Sequence, residues 1–126
     1  MDRRKRILVV DDEAPIRRVL ELKLKNGGYE VLLAEDGEAG RRVIETEKPD
    51  AVVSDINMPR MDGRQLCEAT NHLKRERTFL TIIMTARILP DEEQWISAMQ
   101  DTVFMEKPFS PSSVLERIDQ YFGVKR

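Results

Sequence analysis

Asp55 opens the run Asp55-Ile56-Asn57-Met58-Pro59-Arg60-Met61-Asp62-Gly63, directly after the apolar stretch 51–54. A carboxylate so placed stands at the end of a buried strand, where a turn-rich loop begins. Asp11 and Asp12 follow a second apolar run at 7–10, a third run ends at Thr85, and Lys107-Pro108 follows a fourth. Three acids, a hydroxyl and an ammonium at four strand ends describe one pocket for a divalent metal and a phosphoryl group. The carboxylates repel one another by roughly 3 kcal/mol per pair at ~5 Å and an effective dielectric near ~20, so all three stay ionised only with a cation among them. Oxygen donors without sulfur or imidazole point to Mg2+, with Mn2+ acceptable. An aspartate can also attack phosphorus and form an acyl phosphate. Charge on the transferring group is then held by metal, ammonium and hydrogen-bond donors. Lys107 can supply the ammonium, Thr85 the hydroxyl and Ala86 a backbone N–H. His72, the sole histidine, falls on a helix away from the acids, and Cys67 beside Leu66 reads as a small core residue.

The elements that must position these groups are legible as short β-branched runs alternating with helical patterns. Residues 7–10 predict the first strand, and Pro15 suits the first turn of the helix after it. Ile16, Val19, Leu20 and Leu24 share a stripe of that helix, which Asn26-Gly27-Gly28 ends. Residues 30–34 predict strand two, and Asp36 is placed to cap a second helix whose inner face includes Val43 and Ile44. Residues 51–54 predict strand three; Leu66, Ala69 and Leu73 mark helix three; residues 79–84 predict strand four. A fourth helix is expected around 91–99 and a very short fifth strand at 103–105. Val114, Leu115, Ile118, Tyr121 and Phe122 define a last amphipathic helix. Five βα units in series predict an α/β fold with a doubly wound parallel sheet and helices on both faces. Its ligand crevice lies at the carboxyl ends of the strands, where every polar candidate sits.

The chain has 126 residues, which is one domain spanning 1–126 with a core that needs no disulfide staple. One cysteine forms no internal bridge, so a reducing, cytoplasmic setting is expected. A net charge of −2 argues against a nucleic-acid surface, and no apolar run reaches membrane-spanning length. The basic start Asp2-Arg3-Arg4-Lys5-Arg6 precedes only four apolar residues, so it is a lead-in to a strand rather than a secretory signal.

Asp11-Asp12, Asp55 with Met58-Pro59 and Met61-Asp62-Gly63, Met84-Thr85-Ala86 and Lys107-Pro108-Phe109, in that order, make the chain resemble the receiver domains of two-component response regulators. It is similar throughout to the stand-alone chemotaxis regulators. The resemblance implies a flavodoxin-like (βα)5 fold with strand order 2-1-3-4-5. It implies that Asp55 accepts a phosphoryl group from a histidine kinase or phosphotransfer protein. Asp12, Asp55 and the carbonyl of Asn57 would ligate Mg2+, with Asp11 acting largely through a metal-bound water. Thr85 and Lys107 would hold the phosphoryl oxygens, and the domain would catalyse only its own phosphorylation and dephosphorylation. Asn57 and Arg87 occupy positions that modulate hydrolysis, Arg87 either shielding or positioning the attacking water. Lys107-Pro108 is often a cis peptide in such domains.

For output, the resemblance implies that Thr85 moves inward and Phe104 rotates into the space it leaves. Helix four, strand five and helix five would then present the signal. Gln100-Asp101-Thr102-Val103 and Pro90 depart from the usual pattern there, so no dimer interface carries over; a monomer or weak dimer is expected. Trp95 and Met99 are either a partner patch or core contacts of their own helix, with core favoured. The recipient is a downstream effector protein or an effector domain beyond Arg126. Two rival readings are a scaffold that is never phosphorylated and a haloacid-dehalogenase-like phosphatase. The latter lacks its Asp-x-Asp motif here, because Ile56-Asn57 follows Asp55.

Overall fold

The computed structural model describes residues 4–86, 88–107 and 110–126. Five strands alternate with five helices: β1 (Arg6–Val10), α1 (Ala14–Asn26), β2 (Glu30–Ala34), α2 (Gly37–Glu47), β3 (Ala51–Asp55), α3 (Gly63–Thr70), β4 (Leu80–Thr85), α4 (Pro90–Ser97), β5 (Thr102–Glu106) and α5 (Pro111–Phe122). The sheet is parallel with order β2-β1-β3-β4-β5, as expected. Register places Val10 beside Ser54, Asp55 beside Met84 and Thr85 beside Glu106, which aligns the strand ends along one rim. Residues of alternate parity serve opposite faces of the sheet. Ile7, Val9, Val53, Ile82 and Met84 pack with Leu20, Leu24, Val114 and Ile118 on the α1/α5 side. Leu8, Val10 and Val52 pack with Ile44 and Leu66 on the other.

Local chemistry sets the helix ends. The side chain of Asp36 accepts the Ala39 N–H at 2.8 Å to cap α2. Asp62 and Gln65 form a reciprocal capping box at α3, and Ser110 caps α5 through the Ser113 N–H at 3.0 Å. Three expectations shift. Val19, placed on the buried stripe of α1, is 49% exposed, because Leu20 and Leu24 alone reach the sheet with Ile16 alongside. Helix three does not continue as an α-helix to Leu73 but tightens into a 3-10 turn over Asn71–Arg75. There the Thr70 hydroxyl donates back to the Leu66 carbonyl at 2.8 Å, a bond that competes with regular continuation. Helix α4 stops at Ser97, two residues short of the expected end, so Met99 lies in the turn that follows.

That turn is anchored by a buried cation. Lys74 is 4% exposed, and its ammonium donates to the carbonyls of Gln100 (2.6 Å) and Asp101 (3.1 Å) and to the Thr102 hydroxyl (3.1 Å). It also lies over the Phe79 ring at 4.7 Å. Burial drives its pKa down to about 8, against a smaller upward pull from Cys67 and Asp101.

Candidate functional site

At the carboxyl rim, β1 delivers Asp11 and Asp12, β3 delivers Asp55, β4 delivers Thr85, and the turn after β5 delivers Lys107. One oxygen from each of Asp11, Asp12 and Asp55 lies within 4.8 Å of the others. Asp55 is 6% exposed, and its Oδ1 accepts from Lys107 Nζ at 3.0 Å and from the Ile56 N–H at 2.9 Å. The Lys107 N–H donates to the Thr85 carbonyl at 2.6 Å, tying these two rim residues together through their backbones. Asp12 is exposed at the mouth, Thr85 is buried, and Ala86 is exposed beside it.

Electrostatics distinguish the members of this cluster. Asp11 is fully buried; its Oδ1 accepts the Glu13 N–H at 2.9 Å, while its Oδ2 is buried with no hydrogen-bond partner. Burial pushes its pKa up to about 6, opposed by the Glu13 N–H and reinforced by the charge of Asp55. Burial works against the Lys107 ammonium, but the hydrogen bond and charge of Asp55, with Asp11 and Glu13 adding, carry its pKa above the ordinary lysine value. The orphaned Asp11 oxygen and the all-oxygen donor set fit a hard divalent cation.

The family model for the response regulator receiver domain matches residues 7–119. The chain belongs to that family.

A probable transcriptional regulator from Cyanophora paradoxa is 40% identical over 117 residues, covering 91% of this chain and 47% of that relative. The chain thus spans about half the length of the curated relatives it matches. A CheY-like receiver domain protein from Methanospirillum hungatei superposes with a TM-score of 0.87 at 30% identity, covering 96% of this chain and 95% of the other. The receiver domain of the sensor histidine kinase PA1611 from Pseudomonas aeruginosa, whose structure has magnesium coordinated in its active-site cleft, gives 0.82 at 25% identity, with coverage of 96% and 99%. The receiver is therefore a two-component signalling module of CheY-like fold.

The remaining candidates of this receiver fall in different settings. Asn57 is exposed in the loop after Asp55. Phe104 is half-buried in β5 and meets Trp95 edge-on, ring centroids 6.2 Å apart at 77°. Trp95 is buried with Ile96, Cys67 and Ile83, which makes it a core residue, with Met99 packed alongside. Arg87 and the Lys107–Pro108 peptide lie outside the described residues, as do Met1 to Arg3 of the basic start. Cys67 is buried, and burial raises its thiol to about 12, so it is no thiolate nucleophile. His72 is exposed on the 3-10 turn and is not part of the acid cluster.

Sequence reasoning missed two groups that shape the rim. Arg17 Nη1 donates to the Asp11 carbonyl at 2.6 Å, and Arg60 Nε pairs with Asp36 at 2.8 Å. Arg17 had a signal in its place near the start of the helix that follows the acids. Arg60 had none, since its contact crosses from one loop to another. No helix among the described residues is long and apolar enough to cross a membrane.

Proposed function

We propose that this receiver takes a phosphoryl group onto Asp55 from a phosphohistidine of a histidine kinase or phosphotransfer protein. The observation that carries the reading is the 3.0 Å contact between Lys107 and Asp55 inside a three-acid cluster that leaves one buried Asp11 oxygen unpartnered. A carboxylate oxygen of Asp55 forms the new P–O bond as the P–N bond to the donor imidazole breaks, and the imidazole keeps the electron pair. Asp11, Asp12, Asp55 and the Asn57 carbonyl would hold Mg2+, with Mn2+ an acceptable substitute. The bound cation would offset the acids and stabilise charge on the transferring oxygens. Lys107 already holds Asp55 in place by charge and hydrogen bond, and it exchanges part of that contact for a phosphoryl oxygen. Thr85 donates its hydroxyl to a second oxygen, and Ala86 its N–H. Asn57 and Arg87 flank the acceptor and the threonine and set how fast water removes the phosphoryl group.

Output runs through Thr85 and Phe104 to the α4–β5–α5 face. Phe104 has no hydroxyl to satisfy, so it can exchange between a half-buried and a buried rotamer without losing a hydrogen bond. Shifting such a switch from 1:99 to 99:1 requires about 5.5 kcal/mol of differential stabilisation. The recipient is an effector protein or an effector domain of the same chain, reached in the cytoplasm by a monomer or weak dimer. The names of the relatives as transcriptional regulators support an effector that acts on gene expression.

Incubation with Mg2+ and a small phosphodonor such as acetyl phosphate, followed by intact mass, tests the reading. One phosphoryl adduct is expected, lost in Asp55→Asn, and Trp95 emission should move with it because Phe104 packs on that ring. No adduct would leave a pseudo-receiver scaffold, and turnover of phosphate esters a phosphatase.

A further inference from the structure

The loop that follows Asp55 carries the Asn57 carbonyl, and it is seated by contacts that the phosphoryl chemistry does not use. Arg60 sits in the left-handed region at φ +67°, where a side chain with a Cβ is disfavoured and needs outside support. That support comes from α2. Arg60 Nε donates to Asp36 Oδ2 at 2.8 Å, while Asp36 Oδ1 accepts the Ala39 N–H at 2.8 Å. One buried carboxylate therefore caps a helix with one oxygen and pins the loop with the other. The Ala39 N–H first, and then the Arg60 guanidinium, hold the Asp36 carboxyl below the usual range.

The backbones are as closely fitted as the side chains. A Cβ on Gly37, the first residue of α2, would stand 1.9 Å from the Met61 carbonyl oxygen. At the loop's far end the Gly63 N–H donates to the Ile56 carbonyl at 2.8 Å. A Cβ on Gly63 would lie 2.6 Å from the Asp55 carbonyl oxygen. The loop is thus clamped where it leaves Asp55 and where it passes α2. At the second clamp the Asp36–Arg60 pair is a polar side-chain link that substitution can remove.

We propose that Asp36 and Arg60 are positioning residues of the metal site. Their ion pair selects the loop conformer that presents the Asn57 carbonyl to the cation. This rests on the phosphoacceptor reading above. A loop held in its binding conformer before the cation arrives loses less freedom on binding, and partners that orient metal ligands act on affinity by that route.

Two substitutions isolate the pair. Asp36→Asn keeps a good helix cap, because asparagine caps as well as aspartate, and removes the charge facing Arg60. Arg60→Ala removes the other partner from an exposed position. Mg2+ affinity by calorimetry, with MgCl2 as the only ligand, should fall about tenfold in each single variant. The double variant should fall by no more than that, because both changes delete one interaction. Amide exchange across residues 56–62 of the metal-free variants should be faster than in the wild type. Affinity within twofold of wild type in both single variants overturns the inference, whatever happens to thermal stability. So does a double variant weakened about a hundredfold, which would mean that the two side chains act separately. A wild-type chain that takes up no Mg2+ sinks the phosphoacceptor reading and this inference together, whereas unaffected variants beside a binding wild type sink this inference alone.

Discussion

Lys107 and Lys74 serve opposite ends of β5 and meet opposite surroundings. Lys107 follows the strand's carboxyl end, is partly open to solvent, and faces the carboxylate of Asp55 at 3.0 Å. Lys74 reaches the strand's beginning from the 3-10 turn, is buried, and faces two carbonyls and a hydroxyl. Neutral dipoles do not repay the loss of water as a full negative charge does, so the first pKa is raised and the second lowered to about 8. The difference separates two uses of one side chain. On the proposed phosphoacceptor reading, an ammonium held by a carboxylate at an open rim can exchange partners when a phosphoryl group arrives. An ammonium locked among backbone carbonyls can only hold a turn in place.

The largest expected contrast lies in chemistry. Lys107→Met should slow formation of the Asp55 adduct by about 100-fold, the scale seen when one preorganised donor to developing charge is removed. Lys74→Met should leave that rate within about twofold, since nothing in its surroundings touches the acids. Stopped-time intact mass with acetyl phosphate and Mg2+ measures both. Equal rates for Lys107→Met and wild type would reduce Lys107 to a structural ion pair and erase the contrast.

The two lysines also mark what a linear reading can reach. Lys107 was found because it follows an apolar run, and four such runs ending in acids, a threonine and a lysine must share one rim in a parallel sheet. Register then brought Asp11, Asp12, Asp55 and Lys107 together as the alternation of strands and helices required. Lys74 left no such trace. A lysine on the pattern of helix three reads as a solvated charge, and its burial depends on where a turn some 26 residues later comes to rest. The break in helix three was hidden for a related reason, because Thr70 back-bonding to Leu66 is a choice among local bonds that periodicity does not rank. Val19 was misplaced because the stripe spanning Ile16, Leu20 and Leu24 is narrower than the apolar residues on it. Arg60 was invisible because its partner, Asp36, is read from sequence only as a cap.

A second, smaller contrast lies in stability. Lys74→Met strands buried acceptors, but Asp101 still accepts from the Thr81 N–H and Gln100 from the Thr102 hydroxyl. The expected cost is therefore about 2 kcal/mol, the middle of the range for an unsatisfied buried polar group. Lys107→Met removes a cation from three acids at a partly open site, for about 1 kcal/mol in the absence of divalent ions. Urea unfolding at pH 7 with and without MgCl2 tells them apart. Mg2+ should recover the second loss by replacing the missing positive charge, and should leave the first unchanged. Recovery of Lys74→Met by Mg2+ would mean that the turn and the acid cluster are coupled, which their separate bonding networks do not provide.

The pH dependence of stability is the most direct test of the electrostatic argument, because between about pH 8 and 10 one lysine should give a rising slope and the other none. A base whose folded pKa is about 8 and whose ordinary value is 10.5 binds more protons in the unfolded chain between those limits. Stability then rises with pH across that window. Lys107, raised above its ordinary 10.5, contributes fully below that value and loses its contribution only at higher pH. Between about pH 8 and 10 the stability difference between wild type and Lys74→Met should therefore widen in favour of wild type by about 2 kcal/mol. The corresponding difference for Lys107→Met should stay flat. Comparing each variant with wild type at matched pH cancels the titration of Tyr29 and the other groups that all three proteins share. Parallel curves for Lys74→Met would show that its ammonium is as well solvated by the Gln100 and Asp101 carbonyls as by water. The lowered pKa would then no longer separate the staple at one end of β5 from the movable charge at the other.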